Sequence, residues 1–360
     1  MLIDVTELGW LKASGTPYEV GYALGQRGRE AVHSHLVKSD LWKEVTSVKH
    51  SLVVTRMANK TSDLYPDIYE EIRGLAKGLD LPFDQVFTWN CRGDILSDTS
   101  DGCTTVQIPT THTTKLQISG VQNTDERMII AHNEDGLPFF DGECFIAEVT
   151  GGESAGAVDT GNYSFISFCY PGSIPGHTFA VTSSGMVMTA NNLRLTNVVP
   201  EVPRMVLGRA LLNCEKIDDA RELLQSVPIS GGFHYTIAQG GDSRLLSLEF
   251  GGGAYCEKIV ETPSLHANHA ILGDEVHQQQ VITPSSLDRQ RRGKILVARP
   301  DKLPLEILRD KAEHCLPIWR RDADDPDNEN TIASAVFEIT TSKISWTFHA
   351  GASIKLLYES

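Results

Sequence analysis

Seven cysteines are scattered at 91, 103, 144, 169, 214, 256 and 315, and no two of them form a Cys-x-x-Cys pair. An odd, dispersed set argues against a zinc ribbon, a dithiol redox centre or a disulfide framework, and it fits a reducing compartment. No H-E-x-x-H run and no Gly-Lys-Ser/Thr phosphate loop occurs, which removes two common metal and nucleotide signatures. No 18-residue apolar run is found, and MLIDVTELGWLK lacks a basic segment leading into an apolar one, so a soluble, cytoplasmic protein is expected. Positive charge is scarce: 32 Lys and Arg stand against 47 Asp and Glu, a formal net charge of -15. Phosphate backbones and anionic membranes would repel such a chain at long range, which leaves small molecules as the expected partners.

What is present reads as one layered domain. In GTPYEVGYALGQRGREAV, Thr16 and Glu19 have capping-box spacing and Pro17 suits a first helical turn, so a helix starts there. Gly21, Gly25 and Gly28 share one face of it, which predicts a close helix contact. YPDIYEEIRGLAKGLDLP predicts a further helix, with Pro66 near its start and Gly78 near its end. Short β-branched runs then follow: CTTVQIP, RMIIAHNE, ECFIAEVT, YSFISFCYPG, TFAVTSS and MVMTANNL. Helical text returns between Glu201 and Val227, strands resume at FHYTIAQG and RLLSLEFGG, and the tail predicts a helix in LPLEILRDKAEH and a hairpin turning at Ser342-Lys343. RRDADDPDNENT reads as a surface loop, and no composition shift marks a linker, so residues 1–360 form a single α+β domain.

The informative point is Gly102-Cys103, where a polar run gives way to a strand. A thiol is a strong nucleophile that needs a base, and no histidine is local to Cys103. If the Gly102–Cys103 bond were cut, the new α-amino group of Cys103, with a reference pKa of about 7.7–8.0, would be that base. Gly102 has no Cβ and leaves its carbonyl open to attack by the Cys103 sulfur, giving a thioester that water releases. Asp101, Thr104 and Thr105 are nearby groups for proton handling.

GTPYEVGYALG, YPDIYEEIRGLAKG and above all DGCTT, followed by HNEDG, MTANNLR, PRMVLGRALL, LHANHAIL and SSLDRQRR, resemble the self-processing penicillin acyltransferase family of N-terminal nucleophile hydrolases. The resemblance covers most of the chain. It implies an αββα four-layer sandwich, autocatalytic cleavage before Cys103, and two chains that stay together: 1–102, mainly helical, and 103–360, carrying the nucleophile. It further implies an acidic residue near the nucleophile at Asp135 with Asn133 beside it, an oxyanion-hole amide at Asn268, and an arginine near the site at Arg289. Gly251 stands where the penicillin acyltransferase has a serine after its LEF strand. CYPGSIPGHTFAVTSSG resembles the branch that hydrolyses β-alanyl amides of aromatic amines. Thr105, Asn133, Tyr170, His177 and Asn191 are candidate substrate contacts.

The expected function is therefore hydrolysis of a small N-acylated amine, β-alanyl or other, through a Cys103 thioester. The alternatives are acyl transfer from acyl-CoA, and an uncleaved, non-catalytic ligand-binding relative. No metal and no cofactor are expected, because one residue supplies nucleophile and base; acyl-CoA would enter only as a substrate. His266 and His269 lack further ligands nearby in sequence and read as structural.

Overall fold

A computed structural model describes residues 8–97, 102–113, 126–152, 163–196, 198–273, 280–311, 314–352 and 355–360. The first segment holds strand β1 (Gly9–Gly15) and helices α1 (Pro17–Ser34), α2 (Asp40–Ser47), α3 (Leu52–Leu64), α4 (Pro66–Leu79), α5 (Phe83–Trp89) and α6 (Arg92–Ile95). Helix α1 starts on the expected box: the Thr16 hydroxyl accepts from the Glu19 amide at 3.3 Å and the Glu19 carboxylate accepts from the Thr16 amide at 2.9 Å. Helix α4 runs from Pro66 to Leu79, with Asp80 rather than Gly78 as its left-handed C-cap (φ 59°). Gly78 serves packing instead: a Cβ on Gly21, Gly25, Gly74 or Gly78 would collide with the backbone of the facing helix, so α1 and α4 lie backbone against backbone. Gly28 meets Pro171 rather than α4.

Two sheets follow. The first runs β1, β4 (Phe145–Gly151), β5 (Tyr163–Cys169), β6 (Phe179–Thr182), β7 (Met186–Leu193), β8 (Gly232–Gln239), β9 (Leu246–Gly251) and β10 (Ala254–Ile259). The second runs β11 (Ser264–His266), β2 (Gly102–Ile108), β3 (Met128–Gly136), β12 (Asn330–Ile339), β13 (Ile344–Ala350) and β14 (Leu356–Glu359). Helix α1 packs on β1 and β4; α8 (Arg204–Leu211) packs on α4, and α9 (Ile217–Ser226) on β8. A short helix, α7 (Thr110–Thr113), follows β2. On the far side, helix Pro284–Val297 packs on β11 and β2, and helix Pro304–Leu308 on β2, β3 and β12. The inner faces of the sheets meet through β2 and β7, which completes the αββα order expected.

Three differences from the sequence expectations matter. The tail helix stops at Leu308, so LPLEILRDKAEH is helical only in its first turn and a half. The loop at 320–331 is not all surface: Arg320 and Glu329 are fully buried beneath β2, and Asp325 and Asp327 fold back onto the Arg320 guanidinium. Helix Pro284–Val297 carries a weak apolar pattern and was not legible; Thr283 caps it by accepting from the Ser286 amide at 3.2 Å.

Gly21→Val and Gly74→Val are each expected to cost about 1–3 kcal/mol or more by overpacking the α1–α4 contact. Urea unfolding of the purified variants measures it, and unchanged midpoints would contradict the contact.

Candidate active site

Strand β2 is buried on both faces, and its side chains alternate between them. Thr104, Val106 and Ile108 face the outer helices; Cys103, Thr105 and Gln107 face the other sheet. Register carries this alternation into β3, where Gly102 pairs with Asp135, Cys103 with Glu134, Thr104 with Asn133 and Thr105 with His132. His132 and Glu134 therefore share the thiol's face, and Asn133 and Asp135 do not.

Beyond His266 the edge strand β11 leaves the ladder, and the side chain of Asn268 takes its place beside Cys103. Its Oδ1 accepts from the Cys103 backbone N–H at 2.9 Å and from Arg289 Nη2 at 2.7 Å. Two donors on that oxygen determine the amide's orientation, so Nδ2 faces the Cys103 sulfur at 3.5 Å and the Asn192 carbonyl at 3.2 Å. Arg289, fully buried on helix Pro284–Val297, also donates from Nη1 to the Cys103 carbonyl at 2.6 Å and to the Thr104 hydroxyl at 2.9 Å. It forms no surface ion pair: Asp288 instead accepts from the Leu316 amide. Ser286 holds the Asn268 backbone amide at 2.9 Å, which ties the helix start to the loop.

Burial pushes the Cys103 thiol well above its ordinary value, with Glu134 and Asp135 adding to the rise, while the Asn192 backbone N–H and the Asn268 amide act the other way. In an unbroken chain this sulfur is a protonated thiol at neutral pH. His132 is no base for it either, because burial lowers its pKa to about 3. Its two ring nitrogens contact the Thr105 hydroxyl at 2.8 Å and the Glu134 carboxylate at 3.0 Å. Cys103, His132 and Glu134 offer sulfur, nitrogen and oxygen atoms within 4.8 Å of one another, a donor set that would hold a metal ion only by breaking the His132–Glu134 contact.

The remaining candidates are distributed as follows. Tyr170 donates to Glu134 at 3.0 Å and to the Asp135 carbonyl at 3.2 Å, and His177 stacks on it with centroids 5.9 Å apart. Thr105 donates to Asn191 at 2.7 Å, within a buried polar ladder between the sheets that continues through His234. Asn133 is fully buried on the helix side, where it donates to the Leu308 carbonyl and accepts from Ser334. Its expected place at the substrate is thus corrected: the pleat turns it away from the thiol. Asp135 lies on that same side, accepts from Thr331 at 2.7 Å, and has its pKa raised by burial against the opposing Arg320 and Arg289. Gly102 abuts Glu329 and Arg320, and a Cβ there would strike both. Asp101 lies outside the described residues. Gly251 has φ +147°, and a Cβ there would meet Leu195 and Gly232, so no hydroxyl-bearing side chain fits. His266 is a structural histidine bound to Glu249 at 2.8 Å.

The family model of acyl-coenzyme A:6-aminopenicillanic acid acyl-transferase matches residues 121–353. The chain belongs to this family. Its members are amide hydrolases and acyltransferases, and the chain is an enzyme of that kind. It is 22% identical over 367 residues to the beta-alanyl-dopamine/carcinine hydrolase of Drosophila melanogaster, covering 93% of this chain and 91% of that protein. A variant of conjugated bile acid hydrolase from Clostridium perfringens superposes with a TM-score of 0.45 at 10% identity, over 72% of this chain and 92% of that one. Among the described residues no helix is long and apolar enough to cross a membrane.

Sequence reasoning missed His132, Glu134, Asn192 and Glu329. The HNEDG motif contained the first two, but only the β2–β3 register says which alternate pair meets the thiol.

Arg289→Lys is expected to lower activity by at least about tenfold, since one ammonium cannot reproduce the planar fork that holds the Cys103 carbonyl, Thr104 and Asn268 together. Steady-state rates alongside thermal melts check this; an active Lys variant of unchanged stability would show that the fork is dispensable.

Proposed function

We propose that the chain cuts itself between Gly102 and Cys103, and that Cys103, as the new N-terminus, hydrolyses the amide bond of a small N-acylated amine. The observation carrying this reading is the Asn268 amide, which presents its oxygen to the Cys103 nitrogen and its NH₂ to the Cys103 sulfur. A freed α-amino group held at Oδ1 sits next to its own thiol and takes that proton. The thiolate then attacks the acyl carbon, and the oxyanion rests on Asn268 Nδ2 and the Asn192 backbone N–H, neutral donors fixed in advance. The α-ammonium protonates the departing amine, and water, deprotonated by the same nitrogen, clears the thioester.

Asp135, below the strand, helps hold the α-ammonium in this scheme, and Arg289 positions Asn268. Tyr170 and His177 form the acyl-side wall above Glu134. No cofactor takes part. Residues 1–102 stay bound after the cut, because β1 pairs with β4 over seven residues and α4 keeps the buried Glu71–Arg209 ion pair at 2.9 Å.

The named activity of the Drosophila relative favours a β-alanyl amide of an aromatic amine as the substrate class. The filled space at Gly251 favours water over a penam acceptor, since no hydroxyl projects there. Acyl transfer from acyl-CoA is the second reading, favoured by the family match itself.

Mass analysis of purified protein is expected to give two fragments divided before Cys103, and Cys103→Ala only the intact 39.5 kDa chain with no turnover. β-Alanyl-dopamine should yield dopamine faster than acyl-CoA plus amine yields a new amide. An intact, active wild-type chain would overturn self-cleavage, and an exclusive need for acyl-CoA would overturn hydrolysis. The uncut Cys103 thiol should resist iodoacetamide near pH 7 while the cut form reacts, following the raised thiol pKa of the unbroken chain.

A further inference from the structure

Glu329 is the least explained charged group near the scissile bond. It is fully buried, precedes β12, and lies against Gly102 on the helix side of β2, so closely that only glycine fits between them. Its Oε2 contacts Arg320, but its Oε1 has no hydrogen-bond partner among the described residues and sees only Arg194 Nη2, at 3.5 Å. Arg194 in turn leaves Nε and Nη1 without partners. The carboxylate is thus held at one oxygen by a close pair with Arg320, while the other is left without a hydrogen bond.

The two faces of β2 give this arrangement a chemical meaning. The Gly102–Cys103 peptide lies in the β2 ladder with its N–H on Asn268, so one face looks to the inter-sheet side and the other to the helix side. The Cys103 sulfur stands on the inter-sheet face and Glu329 on the opposite one. When sulfur adds to the Gly102 carbonyl from one side, the nitrogen lone pair develops on the other, where the carboxyl waits. We propose that Glu329 is the general acid of self-cleavage, protonating the Cys103 nitrogen from the face opposite the attacking sulfur. The inference rests on the self-cleavage reading above.

The balance is complete within the chain and one water. The Sγ–C bond forms and the C–N bond breaks; the thiol proton passes to Glu134, whose carboxylate lies within 4.8 Å on the sulfur's face, and the Glu329 proton goes to nitrogen. Water then splits the thioester, returning a proton to sulfur and leaving a Gly102 carboxylic acid. That acid reprotonates Glu329, and the amine takes the proton held by Glu134. Burial raises the Glu329 pKa to about 7, with Asp135 adding to the rise and Arg320, Arg194 and Arg289 opposing it, so the acid form is available near neutrality. Asp325, which accepts from the Glu329 amide, and Asp327, which shares the Arg320 guanidinium, are further carboxylates around it.

The test uses full-length wild type, Glu329→Gln and Glu329→Asp made in a cell-free translation extract, pulse-labelled, then chased at pH 6 to 9 while loss of the full-length chain is followed. Glu329→Gln is expected to slow cleavage by about 100-fold or more, the usual worth of a placed acid. Glu329→Asp, which keeps an acid, should cleave measurably faster than Gln. The wild-type rate should fall as pH rises through about 7, because the deprotonated carboxyl has no proton to give. Gln cleaving within a few-fold of wild type, or Asp no faster than Gln, overturns the proposal. If the Gln chain melts far below wild type, the wild-type profile decides: no fall above neutral pH also overturns it. A wild-type chain that never yields a Cys103 terminus instead refutes self-cleavage itself.

Discussion

One carboxamide ties together three segments far apart in sequence. Asn268 fills the ladder position that β11 vacates, and the guanidinium of Arg289 dictates which end of it faces Cys103. A buried amide free to flip would present oxygen to the sulfur about as readily as NH₂, and the negative charge of the proposed mechanism would then meet an acceptor. Arg289 removes that ambiguity because a cation has only donors to offer. Its own burial is tolerated because it meets the Cys103 carbonyl, Thr104, Asn268 and Ser285. Removing one partner from such a group leaves a charge unsolvated, which costs about 3–5 kcal/mol.

The second constraint is the pleat. Strand β2 separates two buried polar environments by the thickness of one backbone. On the inner face a neutral ladder of Thr105, His132, Asn191 and His234 supports the thiol and carries hydrogen bonds from sheet to sheet. On the outer face the charges collect: Asp135, Arg289, Arg320 and Glu329. A nucleophile wants a desolvated, preorganised surrounding, and proton transfer to a peptide nitrogen wants a titratable one. Placing them on opposite sides of one strand keeps Asp135 and Glu329 behind the backbone from the sulfur, while Glu134 shares the sulfur's face.

The helical layer is held by contacts that would survive the proposed cut at residue 102. Segment 8–97 contributes an edge strand in parallel register with β4, and α1 and α4 interlock through glycines at backbone contact. These contacts are distributed over the whole first segment rather than focused at its end, so the peptide bond to Cys103 is not what holds the segment in place.

Much of this was readable from residues alone where the governing physics is local. The Thr16–Glu19 box, the glycine face of α1, the strand texture from Cys103 to Leu193 and the hairpin at Ser342-Lys343 all follow from neighbours within a few positions, as does the suitability of a Gly-Cys bond for acyl shift. Asn268 and Arg289 were found through family resemblance, and their distances to Cys103 agree with a shared site. Alternation along HNEDG was equally visible, but a period of two has no phase until a partner strand supplies one. Only the pairing of Cys103 with Glu134 turned His132 and Glu134 toward the sulfur and Asn133 away. Glu329, in a loop whose acidity suggested solvent, was beyond sequence reasoning for the same reason: its burial depends on Arg194 and Gly102, contacts that exist only once distant segments have folded together.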